Sequence, residues 1–85
     1  MEEPTRSLRM RFNRSSKQAW NLSSRPSDDQ LLKMYALYKQ ATEGDCIGKA
    51  KGGLKGRAKW KAWSQVSGTS ESDAMRRYCE LVDSF

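Results

Sequence analysis

Histidine is absent from the 85 residues, and cysteine occurs only twice, as Cys46 and Cys79. Without histidine, the usual proton carrier of hydrolytic and nucleophilic catalysis is missing. Two widely separated cysteines form neither a disulfide framework nor a zinc spacing, so both thiols are expected to be free in a reducing compartment. No partner constellation equips either thiol for chemistry, and neither an enzyme nor a cofactor is expected. No apolar run approaches the ~20 residues of a membrane span, and there is no signal-peptide core. With a mean hydropathy of −0.89, the chain is expected to be soluble and to make no stable membrane insertion. Period-two alternation is also missing, which excludes a sheet and leaves an all-α chain.

Positive charge is abundant: the net charge is +6, which favours an anionic partner. Its placement is uneven. Residues 46–63 hold Lys49, Lys51, Lys55, Arg57, Lys59 and Lys61 with no acid. Residues 64–85 are net negative, with Glu71, Asp73, Glu80 and Asp83 against Arg76 and Arg77. A general nucleic-acid binder does not need such segregation. Near the N-terminus, Arg6, Arg9, Arg11 and Arg14 alternate with serines as in a mitochondrial transit peptide, but Glu2 and Glu3 precede them. The segment reads better as a basic helix face.

Four helices are expected in one small domain. The first spans about Ser7 to Asn21, with a thin stripe of Leu8, Phe12, Ser15, Ala19 and Leu22, before Ser23-Ser24-Arg25-Pro26 breaks it. Ser27 with Gln30 forms a capping box for the second, and Asp28 and Asp29 suit its first turn. Leu31, Met34, Tyr35, Tyr38 and Ala41 then follow at helical spacing, and Gly44 ends the helix. Residues 43–54 form a Gly- and Lys-rich loop, long enough to let the next helix run parallel to the last. The third helix is expected over Gly56 to Gln65, with Ala58, Ala62 and Val66 on one side and Trp60 and Trp63 as packing residues. Ser70 caps the fourth, with Asp73 in the reciprocal position and Ala74, Tyr78, Leu81, Val82 and Phe85 on its buried face.

Two blocks carry chemistry. Tyr35, Tyr38 and Lys39 lie at i, i+3 and i+4 and share one side of the second helix. Lys55-Gly56-Arg57-Ala58-Lys59-Trp60 adds cations and a flat aromatic. Stacking surface with fixed positive charge suits a nucleotide bearing several phosphates.

The chain resembles the acyl-CoA-binding protein family. The resemblance rests on Phe12; Pro26-Ser27-Asp28-Asp29; the run from Tyr35 to Asp45; Lys55-Gly56-Arg57-Ala58-Lys59-Trp60-Lys61-Ala62-Trp63; Gly68-Thr69-Ser70; Asp73-Ala74-Met75; and Tyr78. It covers nearly the whole chain, with residues 1–7 read as a flexible N-terminal arm and 8–85 as an acyl-CoA-binding domain. The wording from Tyr35 to Gly44, followed by Cys46, looks especially like the version fused ahead of some peroxisomal enoyl-CoA isomerases.

The resemblance implies a four-helix up-down-down-up bundle that binds long-chain fatty acyl-CoA, catalyses nothing and acts as a monomer. By analogy Tyr35, Lys39 and Lys59 meet the 3′-phosphate of the CoA ribose. Tyr38 and Tyr78 flank the adenine and ribose, Lys55 sits near the phosphates and the acyl end, and Ala36 and Leu37 lie in the contact stretch. Trp20 stands where the family often has a phosphate-contacting lysine. It is counted as an auxiliary residue together with Arg25, and Arg14 and Lys17 are further candidates to replace that lysine. The central loop is shorter than usual and lacks the family's Pro and acid.

A cytoplasmic carrier of acyl-CoA esters in fatty-acid metabolism is the resulting expectation. Two alternatives stand beside it. One is an acyl-CoA-docking module of a longer enzyme such as an enoyl-CoA isomerase, in a peroxisome or mitochondrion. The other is a basic helical nucleic-acid-binding domain, which the acidic last helix and the lack of a recognition-helix motif disfavour.

Overall fold

Each helix start carries its own hydrogen-bonding signal, except one. In a computed structural model, which describes residues 3–50 and 52–85, four helices are present: α1 (Arg6–Gln18), α2 (Asp28–Glu43), α3 (Leu54–Ser64) and α4 (Glu71–Asp83). Met1, Glu2 and the loop residue Lys51 lie outside the described residues. Thr5 caps α1 by accepting from the Leu8 amide, so α1 begins at Arg6, one residue before the expected Ser7. Ser27 and Gln30 exchange both capping-box bonds at α2. Ser70 accepts from the Asp73 amide at α4, while the Asp73 carboxylate turns to Arg76 at 2.6 Å instead of back to the cap. The exception is α3. Its cap is Gly53, with no side-chain oxygen to offer, and the helix begins before the expected Gly56.

Helix ends follow equally local causes. Gly44 closes α2 at φ +86°, a left-handed conformation that costs an L side chain strain even where there is room for one. Beyond Gln18 the chain keeps turning, but through bonds from Trp20 to Lys17 and from Asn21 to Gln18. The tighter i→i+3 pattern ends the α-helix short of the expected Asn21.

α2 is the central element. It packs on α4 on one side and α3 on the other, while α1 packs on α4. The order across the molecule is therefore α1, α4, α2, α3, in a slab of 36 × 35 × 15 Å. Side-chain neighbours fix the directions. Tyr35 meets Lys59 and Lys39 meets Trp63, a constant offset that makes α2 and α3 parallel. Gln40 reaches Thr69 just ahead of α4, and Tyr38 reaches Tyr78, so α2 and α4 are antiparallel. Arg9 meets Glu71 and Phe12 meets Tyr78, so α1 runs with α4. This is the expected up-down-down-up bundle, with the 43–54 loop as its long crossover. No described helix is long and apolar enough to cross a membrane.

The core gathers Phe12, Met34, Leu37, Ala41, Ala74, Met75, Tyr78, Cys79 and Val82. α3 contributes no fully buried residue, because it touches only α2.

Polar side chains also belong to this interior, Ser15, Gln40 and Ser72 among the described residues. Gln40, 2% exposed, donates through its amide nitrogen to Asp45 Oδ1 at 2.7 Å and to the Thr69 carbonyl at 2.9 Å. Asp45 also accepts from the Gly68 amide at 2.8 Å. The end of α2 is thereby tied to the turn before α4. First the Gly68 N–H, then the Gln40 amide, hold the Asp45 carboxyl below the usual carboxylate range. A depressed folded pKa contributes stability that is present above the unfolded value and lost as pH falls through the folded one. The melting temperature of Asp45→Ala should therefore lie below that of the wild type at neutral pH, and the gap should narrow under acid conditions. A gap independent of pH would show that the carboxylate charge is not what the latch uses.

Candidate functional site

The two blocks singled out in the sequence meet across the α2–α3 seam. Because the helices are parallel and in register, Tyr35 of α2 lies beside Lys59 of α3, with the Lys59 ammonium 5.2 Å from the ring centroid. One turn further along α2, the Lys39 ammonium sits 5.9 Å from the same ring and 5.6 Å from Trp63. Such distances are within the range of a cation–π contact. Trp63 is itself held by its indole N–H, which donates to the Gly44 carbonyl at 2.9 Å. The result is a half-buried Tyr35 ring with two lysine ammonium groups close to it, supported by a second aromatic.

Lys39 also pairs with Glu43 one turn on. That hydrogen bond raises the Lys39 ammonium above the usual lysine range, and burial opposes it only in part. Lys39 therefore stays charged through the physiological range, and Glu43 is its resident counter-ion.

A groove of about 380 Å³ runs from Tyr35 toward the N-terminal ends of α2 and α3. Leu31, Leu32, Leu54 and Ala58 form its apolar walls, and Lys55 and Lys59 lie on its rim. The basic-aromatic cluster and an apolar groove are thus continuous. A larger cavity of about 720 Å³ lies at the opposite end, where α2 finishes and α4 starts. It is lined by Glu3, Glu43, Asp45 and Glu71, so it repels a polyanion, and the smaller groove is the better candidate on charge.

Tyr38 faces the other way. Its ring stacks on Phe12 at 5.6 Å and lies 5.9 Å from Tyr78, while Phe12 meets Tyr78 edge-on at 5.2 Å. Tyr38 is 41% exposed and Tyr78 is buried, so Tyr38 offers an open aromatic surface backed by two fixed rings. Burial pushes the Tyr78 hydroxyl up, with the nearby Tyr38 adding to the shift. Tyr35 and Tyr38 therefore share one side of α2 but lean to opposite flanks of it.

The remaining sequence-derived residues divide. Ala36 and Leu37 are 1% and 2% exposed and are enclosed by packing. Arg25 pairs with Asp28 at 3.5 Å, and Asp28 lines the groove, so Arg25 stands at its margin. Trp20 is not brought to the basic-aromatic cluster: it is 89% exposed at the end of α1, the helix on the far side of the slab from α3. Arg14 and Lys17 are likewise exposed on α1. Sequence reasoning treated Trp63 as packing only and gave no role to Glu43 or Leu54. The i, i+4 spacing of Lys39 and Glu43 was the available signal for the first of these two.

The chain is similar to known proteins in both sequence and structure. A sequence model of the family described as "Acyl CoA binding protein" matches residues 9–82. The chain is 45% identical over 74 residues to the acyl-CoA-binding protein of Saccharomyces cerevisiae, covering 85% of this chain and 85% of that one. It is 44% identical over 75 residues to the acyl-CoA-binding protein homolog of Drosophila melanogaster, covering 85% and 86% respectively. Among solved structures, acyl-CoA-binding protein 2 of Oryza sativa is similar with a TM-score of 0.85 and 37% identity, over 91% of this chain and 88% of that one.

Proposed function

The chain belongs to the acyl-CoA-binding protein family, and from that premise we propose that its domain of residues 8–85 binds long-chain fatty acyl-CoA along the α2–α3 seam, as a monomeric cytoplasmic carrier that catalyses nothing. The observation that carries this reading is the continuity of two Tyr35-flanking lysines with an apolar groove.

Each part of the ligand has a counterpart. Lys39 and Lys59, both close to Tyr35, hold the 3′-phosphate of the CoA ribose through charge-assisted bonds. Tyr38, open on one face and backed by Phe12 and Tyr78, receives the adenine, at ~1–3 kcal/mol for a base stacked on an aromatic. Lys55 on the groove rim reaches the pyrophosphate, and Arg25 at its margin adds a further cation. Leu31, Leu32, Leu54 and Ala58 take the acyl chain, which adds ~0.8 kcal/mol per buried methylene. Ala36 and Leu37 shape the contact stretch from beneath through packing.

Titration calorimetry with palmitoyl-CoA, free CoA and palmitate tests the reading. The expected order is saturable one-to-one binding of palmitoyl-CoA, weaker binding of free CoA, and no measurable binding of palmitate. Equal affinity for palmitate and palmitoyl-CoA would overturn a site anchored on the headgroup.

A further inference from the structure

From Pro4 to Ser27 the chain carries six cations and no acid. Three are engaged with carboxylates: Arg9 with Glu71 at 3.7 Å, Arg11 with Asp83 at 3.0 Å and Arg25 with Asp28 at 3.5 Å. The other three, Arg6, Arg14 and Lys17, are exposed and have no carboxylate partner among the described residues. They are not scattered. At about 100° per residue, positions i, i+8 and i+11 fall on one side of α1. Met10, at i+4 on that same side, is 56% exposed. Phe12 and Ser15, the buried residues of α1, lie on the opposite side. The turn that ends α1 then presents Trp20 at 89% exposure, the most exposed large apolar side chain among the described residues.

These features answer to one environment. Unpaired cations on a helix face are drawn to a surface of anionic headgroups. An exposed indole next to them is the side chain best suited to the boundary between headgroup and acyl chain. Topology adds a third feature. α1 ends where α2 and α3 begin, so Trp20 lies at the same end of the bundle as Leu54, which is 87% exposed and forms part of the groove wall.

We propose that the outer side of α1 is a peripheral docking surface for an anionic lipid bilayer, drawn in by Arg6, Arg14 and Lys17 and seated by insertion of the Trp20 indole. Docking is reversible and spans nothing. A nucleic acid would also satisfy the cations, but it leaves Met10, which has no ring to stack on a base, without a role.

Co-sedimentation of the ligand-free 85-residue chain with phosphatidylcholine vesicles, with and without about one-third phosphatidylserine, tests the surface. Binding is expected only with the anionic lipid and should weaken as salt is raised. The triple variant Arg6→Gln/Arg14→Gln/Lys17→Gln should lower the partition coefficient on the order of a hundredfold. These side chains are exposed, so its circular dichroism should match that of the wild type. Trp60 and Trp63 also fluoresce, so insertion is read as the difference between wild type and Trp20→Phe. The blue shift on adding anionic vesicles should be present in the first and absent in the second.

No binding to anionic vesicles at low salt would overturn the proposal, as would full binding by the triple variant or an equal blue shift in Trp20→Phe. So would tight binding of single-stranded or duplex DNA, abolished in the triple variant, with vesicles left unbound; the surface would then be a nucleic-acid one. The chain is tested without ligand, so failure here and failure of acyl-CoA binding are separate results.

Discussion

Leu37→Ala is expected to lower the free energy of unfolding by about 2–5 kcal/mol, the range for truncating a large buried aliphatic side chain. Leu37 is 2% exposed and belongs to the cluster that joins α2 to α4 through Ala74, Tyr78 and Val82. Few neighbours can move to fill the space. α4 is held from behind by α1, and the latch of Gln40, Asp45 and Gly68 fixes the end of α2. Small domains have total stabilities of about 5–15 kcal/mol, so the change removes a large share. At roughly 4–8 °C per kcal/mol for a domain of this size, the melting temperature should fall by at least about 8 °C. Urea denaturation followed by circular dichroism measures the loss, and palmitoyl-CoA titration is done at a temperature where the variant is folded. A stability change under about 1 kcal/mol with collapsed affinity would assign Leu37 to the ligand and not to the core.

Leu37 also marks a limit of the sequence. A helix packed on one side reads clearly from its spacing, and the stripe of α1 behaves that way: Phe12 and Ser15 are buried, with Leu8, Ala19 and Leu22 packed at the edge of the core. α2 is covered from two sides, by α4 and by α3. Ala36 and Gln40 are therefore as buried as Met34 and Ala41, although only Met34 and Ala41 fit the single stripe read from spacing. α4 shows the same effect, with Met75 and Cys79 buried beside the expected Ala74, Tyr78 and Val82.

Helix starts were legible at α2 and α4, where a serine does the capping, but the Thr5 cap of α1 went unread. Ser27 and Ser70 hydrogen-bond to amides three residues on, a contact decided within one turn. The start of α3 was not legible, because Gly53 caps it with backbone alone and the Arg57 amide bonds to the Gly53 carbonyl. The site divides along similar lines. The Tyr35–Lys39 neighbourhood follows from spacing on one helix. The partnership of Tyr35 with Lys59 depends on α2 and α3 being parallel, which the long crossover permits but does not specify. Glu43 went unassigned because a charge one turn from a lysine is as often an ordinary surface pair as part of a site.

The Lys39→Ala/Lys59→Ala double variant should weaken palmitoyl-CoA binding on the order of a hundredfold or more, since each lost charged hydrogen bond is worth about 1.5–3 kcal/mol. Both ammonium groups converge on the Tyr35 ring, so a phosphate between them replaces two separate hydrated cations with one shared counter-ion. Glu43 sets the starting condition. It already neutralises Lys39, and an incoming phosphate must compete with its carboxylate. Glu43→Gln should therefore bind palmitoyl-CoA more tightly than the wild type, and the tightening should vanish when Lys39 is also alanine. Either lysine variant should lose far less against the 3′-dephosphorylated ligand than against palmitoyl-CoA itself. Calorimetric titrations of the six proteins against both ligands give all of these comparisons in one series. If the lysine variants lose as much against the dephosphorylated ligand, the two lysines act on another part of the molecule. If Glu43→Gln binds no better than the wild type, the ion pair on α2 is not what the phosphate displaces.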